Sequence, residues 1–331
     1  MTSIRDVARL AGVSPSTVSR VMNQTANVNE EKKQKVLWAI QETGFVPNEL
    51  ARSLYKKNSK IIGVIVPSID NPFFGELARV IEEEAFLNGY RLTLCSSNHN
   101  REKEKANIQM LTRLKAEGII LMTNDETLQE EIEKCNLPIV ALDRQIASGN
   151  GVSYIHADHY KGSRLAMKHL LECGCKNIVK LREPQVYSSG RQRFAGYVSV
   201  CKEYGIPVQY IDCQYDYEDG FRVAEQVLLK YPDVDGILAN NDMVAIAVYK
   251  VLKKRGYRVP EDVQLIGFDN IAFSHMILQE LTTIEQPIKE MGKLAVKAIM
   301  EYGQAGKIEQ EQVLDVTLIK RETTKERKGL S

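Results

Sequence analysis

Ile4-Arg-Asp-Val-Ala-Arg-Leu-Ala-Gly-Val-Ser-Pro-Ser-Thr-Val-Ser-Arg-Val-Met-Asn23 decides how the rest of the chain is read. Ile4, Val7, Ala8 and Ala11 recur at helical spacing, so the first segment is a helix with one apolar face. Gly12-Val13-Ser14 interrupts it. Ser14 is placed to cap a second helix, and Pro15 suits a first turn, where no amide hydrogen is needed. Val18 and Val21 then face inward, while Ser16, Thr17 and Arg20 face outward. The pattern predicts a helix-turn-helix whose second helix enters a major groove. A third helix comes next, opened by Asn29 with Glu30 and Glu31 at its positive end and closed by Gly44. Val36, Leu37 and Ile40 are its expected core face. Helix pairs joined at a glycine also occur in proteins that touch no nucleic acid, so charge is the needed second witness. Residues 1–60 carry a net charge of +5 and the remainder −4, a basic head on an acidic body.

The body is long enough for one or two further domains. No apolar run is long enough to span a bilayer, and the N-terminus lacks a signal-peptide core, so a cytoplasmic location is expected. The six cysteines (95, 135, 173, 175, 201 and 213) form no CxxC pair, and buried free thiols are expected. The histidines do not fall at metal-ligand spacing. There is no Walker loop, no GxGxxG opening a βαβ unit, and no HExxH or Ser/His/Asp string. An enzyme is therefore not expected, nor a metal or cofactor.

From Ile61 onward, buried-strand runs alternate with amphipathic helices. Ile61-Ile-Gly-Val-Ile-Val-Pro67, Arg91-Leu-Thr-Leu-Cys95, Gly118-Ile-Ile-Leu-Met122 and Pro138-Ile-Val-Ala-Leu-Asp143 read as strands. Residues 178–181, 236–239 and 264–268 resume the series, with helices over residues 74–88, 224–230 and 242–255. This alternation predicts a doubly wound, parallel α/β architecture. A break at Ser148-Gly-Asn-Gly151 divides it into two similar subdomains with a cleft between them.

Open α/β sheets bind ligands beyond the carboxyl ends of their strands. Those positions hold Asn71, Phe73 and Phe74, then Asn124, then Asp143 and Arg144 in the first half. In the second half they hold Asn240-Asn241-Asp242, Asp269 and Gln286, with Arg193 opening a helix nearby. Carboxylates and amides accept hydroxyl hydrogens, arginine donates, and aromatic rings cover an apolar sugar face, so the set suits a polyol. Asn71, Asn124 and Asp242 are equally well explained as turn formers or helix caps, and Phe73 and Phe74 as core. Asp143, Arg144 and Arg193 are harder to read as structural, because a buried charge without a partner is expensive.

Pro47-Asn-Glu-Leu-Ala-Arg-Ser-Leu54 joins head to body. Asn48 can cap a helix through Leu54, but about two turns is too short to be stable alone in water. Together with Asp6-Val-Ala, Gly12-Val-Ser, Ser16-Thr-Val-Ser-Arg20 and Ala51-Arg-Ser-Leu54, this segment resembles the LacI/GalR family of bacterial repressors. The resemblance covers essentially the whole chain. It implies a helix-turn-helix DNA-binding domain over residues 1–46, a hinge helix and linker over 47–59, and a periplasmic-binding-protein-like effector and dimerisation domain over 60–331. The N-subdomain would span about 60–160 and 290–319, the C-subdomain about 161–289 and 320–331, with crossings near 158–162, 286–292 and 318–322.

The resemblance also implies roles. Ser16, Thr17, Arg20, Asn23, Ala51 and Leu54 would meet DNA, with Arg20 suited to a guanine and Leu54 wedged into the minor groove. Asn71, Phe73, Phe74, Asn124, Asp143, Arg144, Arg193, Tyr215, Asn241, Asp269 and Gln286 would hold a small sugar, with Tyr217 as a rival to Tyr215. The implied function is a repressor, acting as a homodimer on a palindromic operator and controlled allosterically by a sugar inducer, ribose first. Fructose or sucrose as effector, a purine-type corepressor, or a catabolite-control regulator with a phosphorylated carrier protein as corepressor are the alternatives. Three positions depart from the family pattern: Pro15 where a threonine is common, Gly174-Cys175 where Gly-His is common, and Arg182-Glu-Pro184 near the expected cleft mouth. The charged stretch of residues 321–331 is expected to fray.

Overall fold

The computed structural model describes residues 2–23, 28–45, 59–122, 128–145, 152–277, 279–305 and 309–326. The chain forms two compact units, Met1–Ser59 and Lys60–Ser331.

In the first unit, helices α1 (Ile4–Ala11), α2 (Pro15–Asn23) and α3 (Glu30–Thr43) close on Val7, Ala8, Ala11, Val18, Val21, Val36 and Ala39. Gly12 ends α1 with φ 63°, a left-handed turn that a side chain would oppose. Ser14 then takes the Thr17 amide on both its carbonyl oxygen (2.9 Å) and its hydroxyl (3.2 Å). Asn29 caps α3 by accepting from the Glu31 amide at 2.9 Å. Leu37 corrects the expectation: it is 45% exposed, and the adjacent Trp38 is 52% exposed. Val36, Ala39 and Ile40 line one face of α3 at the helical period, which leaves positions 37 and 38 on the flank.

The second unit contains two six-stranded sheets. The first uses β1 (Ile61–Val66), β2 (Arg91–Ser96), β3 (Gly118–Leu121), β4 (Ile139–Leu142), β5 (Val152–Ala157) and β11 (Glu311–Leu314), in the order β11-β5-β4-β3-β1-β2, all parallel. The second uses β6 (Ile178–Arg182), β7 (Tyr210–Asp212), β8 (Gly236–Leu238), β9 (Gln264–Asp269), β10 (Thr282–Glu285) and β12 (Thr317–Ile319), in the order β12-β10-β9-β8-β6-β7. Among the described strands, only the β10–β12 pair is antiparallel. Helices cover both faces of each sheet, which is why the central strands are apolar on both sides. On the first sheet these are α4 (Pro72–Leu87) and α11 (Ile288–Ala305) on one face, with α5 (Arg101–Arg113) and α6 (Gln129–Lys134) on the other. On the second they are α7 (His159–Glu172) with α8 (Ser188–Tyr204), opposite α9 (Tyr217–Lys230) with α10 (Asp242–Lys254).

The chain passes between the sheets three times: at Asp158, at Gln286-Pro287 and at Asp315-Val316. The third passage lies ahead of the expected 318–322, because Thr317–Ile319 already pairs with β10 in the second sheet. The first-sheet portion therefore ends at Leu314, short of 319. Residues 321–326 are not frayed either. Thr323 is fully buried, its carbonyl takes the Leu265 amide and its hydroxyl takes the Thr282 amide, each at 2.9 Å. Arg321 donates to the Leu281 carbonyl at 2.7 Å and to Asn270 Oδ1 at 2.7 Å. Residues 327–331 lie outside the described residues. All six cysteines are free; Cys175, Cys201 and Cys213 are buried, and the other three are half-buried. Among the described residues no helix is long and apolar enough to cross a membrane.

Candidate functional site

The carboxyl ends of the two sheets face each other, and the residues just after each strand fill the space between them. After β1, Asn71 opens α4 and presents Phe73 and Phe74; after β4 come Asp143 and Arg144. From the second sheet come Ser189 and Arg193 on α8, Tyr215 ahead of α9, Asn241 at the cap of α10, Asp269 at the end of β9 and Gln286 after β10. These eleven residues line one cavity of about 20 Å³, room for about one water. A larger chamber of about 540 Å³ opens outside it, sharing Asn71, Phe74, Arg144 and Tyr215 and adding Tyr187, Tyr217, Asp216 and Glu218. A sugar reaches the inner cavity only if the two sheets part.

Two contacts hold the sheets together at the rims. The Gln145 amide donates to Ser188 Oγ at 2.8 Å, and the Ala272 amide donates to Glu76 Oε1 at 2.8 Å. Ile271, from the second sheet's side, is buried in the core of the first.

The cavity is built around two carboxylates held on unusual backbone. Asp143 has φ 69° and Asp269 φ 114°; for residues other than glycine such angles cost on the order of 1–3 kcal/mol each and persist only where the surroundings impose them. Burial raises the Asp143 carboxyl, but the His159 ring, whose Nε2 lies 3.3 Å from Oδ1, and the charges of Arg144 and Arg193 outweigh it and hold the group at about 2. Burial raises Asp269 too, and here Arg193 and the Gln286 amide only partly oppose it, so the group stands at about 7. Gln286 Nε2 donates to Asp269 Oδ1 at 2.8 Å, and Arg193 Nη2 lies 3.6 Å from the same oxygen.

Arg193 is buried with its guanidinium 3.7 Å above the Phe268 ring, and its Nη1 donates to the Asn240 carbonyl at 2.8 Å. Arg144 is only 6% exposed and lies among three rings, 4.1 Å from the Tyr187 centroid, 5.3 Å from Tyr215 and 5.9 Å from Phe74. Arg144 Nε and Nη1, the Tyr215 hydroxyl, Asp143 Oδ1 and Gln286 Oε1 are buried without a hydrogen-bond partner. Each such group carries a desolvation penalty of about 1–3 kcal/mol. Donors and acceptors stand side by side, as the hydroxyls of a polyol require, since each hydroxyl both gives and takes.

Ten of the eleven effector positions named from the sequence therefore converge, and Asn124 lies outside the described residues. Tyr215 lines the inner cavity, whereas Tyr217 lines only the outer chamber. Asn71 and Asn241 do both jobs considered for asparagines here. They cap α4 and α10, accepting from the Phe73 amide at 3.0 Å and the Val244 amide at 2.8 Å, and they line the cavity. Asp242 is structural, accepting from Thr283 Oγ1 at 2.6 Å and the Ile271 amide at 2.9 Å. Arg182-Glu-Pro184 does not line either chamber: Arg182 pairs outward with Asp212, and Glu183 is fully buried against Lys180. Sequence reasoning missed Ser189, which lies four residues before Arg193 on the same face of α8, and His159 beneath the cavity.

In the first unit, Ser16 and Arg20 are exposed and Thr17 is half-exposed on α2. Ser14 Oγ lies 2.7 Å from Ser16 Oγ and 2.9 Å from Thr17 Oγ1, which orients both hydroxyls. Arg20 forms no ion pair or hydrogen bond among the described residues. Asn23 donates to the Ser19 carbonyl at 2.9 Å, so its amide is engaged with its own helix. Ala51 and Leu54 lie outside the described residues.

A model of bacterial regulatory proteins of the lacI family matches residues 3–48, and one of periplasmic binding proteins and the sugar-binding domain of the LacI family matches residues 59–327. The chain belongs to the LacI family. This LacI-family chain is 36% identical over 326 residues to the ribose operon repressor of Halalkalibacterium halodurans, covering 98% of each. Its fold matches that of a lac repressor dimer bound to operator and an anti-inducer, with a TM-score of 0.87, 28% identity and coverage of 97% of this chain and 98% of that one. A LacI family transcriptional regulator from Enterococcus faecium with bound ribose matches 80% of this chain and 98% of its own, at 30% identity and a TM-score of 0.71. The LacI-family chain is thus a DNA-binding transcriptional repressor with a sugar-effector domain, and it is not an enzyme.

Proposed function

We propose that the inducer is D-ribose and that the protein represses genes for ribose uptake or use, acting in the cytoplasm where operator DNA is found. The observation that carries this is the cavity: ten positions named from sequence as sugar ligands gather around buried, unpartnered donors and acceptors of both signs. The name of the Halalkalibacterium relative and the ribose in the Enterococcus structure support the same sugar.

A homodimer would set two copies of α2 about one helical turn apart on a palindromic operator. Ser16, Thr17 and Arg20 would read base edges, and paired segments over residues 47–59 would wedge Leu54 at the centre of the site, bending the duplex. Ribose then enters as the sheets part and re-closes them on itself, shifting the first sheet's subdomain and separating the two hinge segments. Because a two-turn helix is marginal alone, a small displacement would suffice to melt a helical hinge, and operator affinity would fall. The coupling is reciprocal, so operator DNA weakens ribose binding by the same factor.

Calorimetric titration with ribose, fructose, sucrose, ribose 5-phosphate and hypoxanthine tests the assignment. Selective ribose binding, together with release of operator in a mobility-shift assay, is the expected result. Binding of only a phosphorylated sugar or a purine would overturn it. For the hinge, Leu54→Ala should reduce operator bending and specific affinity, and unchanged bending would remove the wedge.

A further inference from the structure

The two halves of the cleft meet on one imidazole. His159 is the first residue of α7, directly after the first passage between sheets, and it is fully buried. Its Nδ1 takes the N–H of Arg193 Nε at 3.3 Å. A guanidinium keeps its protons at any pH the fold meets, so Nδ1 has to be the acceptor. The ring's proton then sits on Nε2, which hydrogen-bonds to the Asp143 carbonyl oxygen at 3.3 Å and lies 3.3 Å from Oδ1 of the same residue. Burial and the charge of Arg193 hold this imidazole below the usual histidine range, against the pull of Asp143. His159 does not line the cavity.

We propose that His159 is a positioning residue that aligns the two halves of the sugar site and carries its occupancy to the first passage between sheets. The proposal rests on the sugar-site assignment above. Asp143 needs an outside hold, because its left-handed backbone is not self-supporting, and His159 grips it at the carbonyl oxygen. Arg193 has one edge on the Asn240 carbonyl and one near Asp269, and His159 supplies the acceptor for Nε. The ring is fixed in turn by His156, with centroids 6.2 Å apart, and by Phe268 at 5.9 Å. When sugar hydroxyls draw on Asp143 and Arg193, both pulls converge on a side chain one residue from the passage at Asp158.

Two variants and one spectrum test this on the full-length protein. Glutamine offers both an acceptor and an N–H donor at similar reach, and leucine offers neither. His159→Leu should weaken ribose binding by about 10- to 100-fold and shrink the ribose effect on operator affinity, while operator affinity without ribose stays unchanged. His159→Gln should recover most of both. Wild-type ribose affinity and coupling in His159→Leu would overturn the proposal, as would equal damage in the two variants. Should the leucine protein not fold, nitrogen NMR of the wild-type protein labelled at histidine decides the point without substitution. The expected spectrum shows Nε2 protonated and Nδ1 bare; a proton on Nδ1 would overturn the proposal. Failure of wild-type protein to bind ribose would count against the sugar assignment alone, since the proton's place needs no ligand.

Discussion

Asp143 and Asp269 occupy matching places, each at the carboxyl end of a strand of its own sheet, each buried and each at positive φ. Their electrostatics are opposite: Asp143 stands at about 2 and Asp269 at about 7. The difference comes from what surrounds them. Asp143 has a histidine N–H and two guanidinium groups nearby, whereas Asp269 has an amide, Arg193 with its nearest nitrogen 3.6 Å away and a weaker pull from Arg144, and the charge of Asp143 works against it. One half of the cleft thus presents a permanent anion, and the other a carboxyl close to its midpoint at neutral pH. Desolvation alone does not decide the charge of a buried acid; the charges around it decide as well.

Removing the group that faces both halves has the largest expected effect. Arg193→Ala should reduce ribose affinity by more than about 100-fold and abolish induction, with operator binding intact in a mobility-shift assay; a normal response would take Arg193 out of the site. Asp143→Asn should come next, at about 10- to 100-fold by calorimetry, since it removes the carboxylate that faces Arg144 and His159.

The pH dependence of stability separates the two acids. Asp269 is raised when folded, so its contribution is complete below the ordinary carboxylate value and is lost as pH rises through about 7. Asp143 is lowered, so its contribution is present above the ordinary value and is lost as pH falls through about 2. Chemical denaturation from pH 5 to 8 should show a loss of a few kcal/mol in the wild-type protein that Asp269→Asn lacks. Parallel curves for the two proteins would dissolve the contrast. The smallest effect is expected from Ser189→Ala, about 3- to 10-fold in ribose affinity, because it removes one neutral hydroxyl from the second half.

The helix-turn-helix was legible because its signals are local: a glycine turn, two caps and a 3.6-residue period lie within forty-odd residues. Most of the cleft was legible because ligand groups come just after strand ends, a rule of topology that one-dimensional patterns can use. Other features were hidden for reasons that can be named. β5 carries Ser153 and His156 among its apolar residues and does not read as a buried strand. Leu314-Asp-Val-Thr-Leu-Ile319 reads as one extended run, although Asp315, paired with Lys161, marks where the chain changes sheets. Thr323 and Thr324 sit in a stretch whose charge suggests solvent, yet both are buried. His159 was invisible as a functional residue because its partners, Asp143 and Arg193, come from segments 16 and 34 residues away.

The chain's one tryptophan, Trp38, lies in the DNA-reading unit and half out of the protein, while the aromatic residues of the cleft are tyrosines and phenylalanines. Emission excited at the red edge therefore comes from one known address. A quenched or shifted signal on adding operator reports on the head directly. A change on adding sugar alone would be a message received at a distance, readable in real time and without a label.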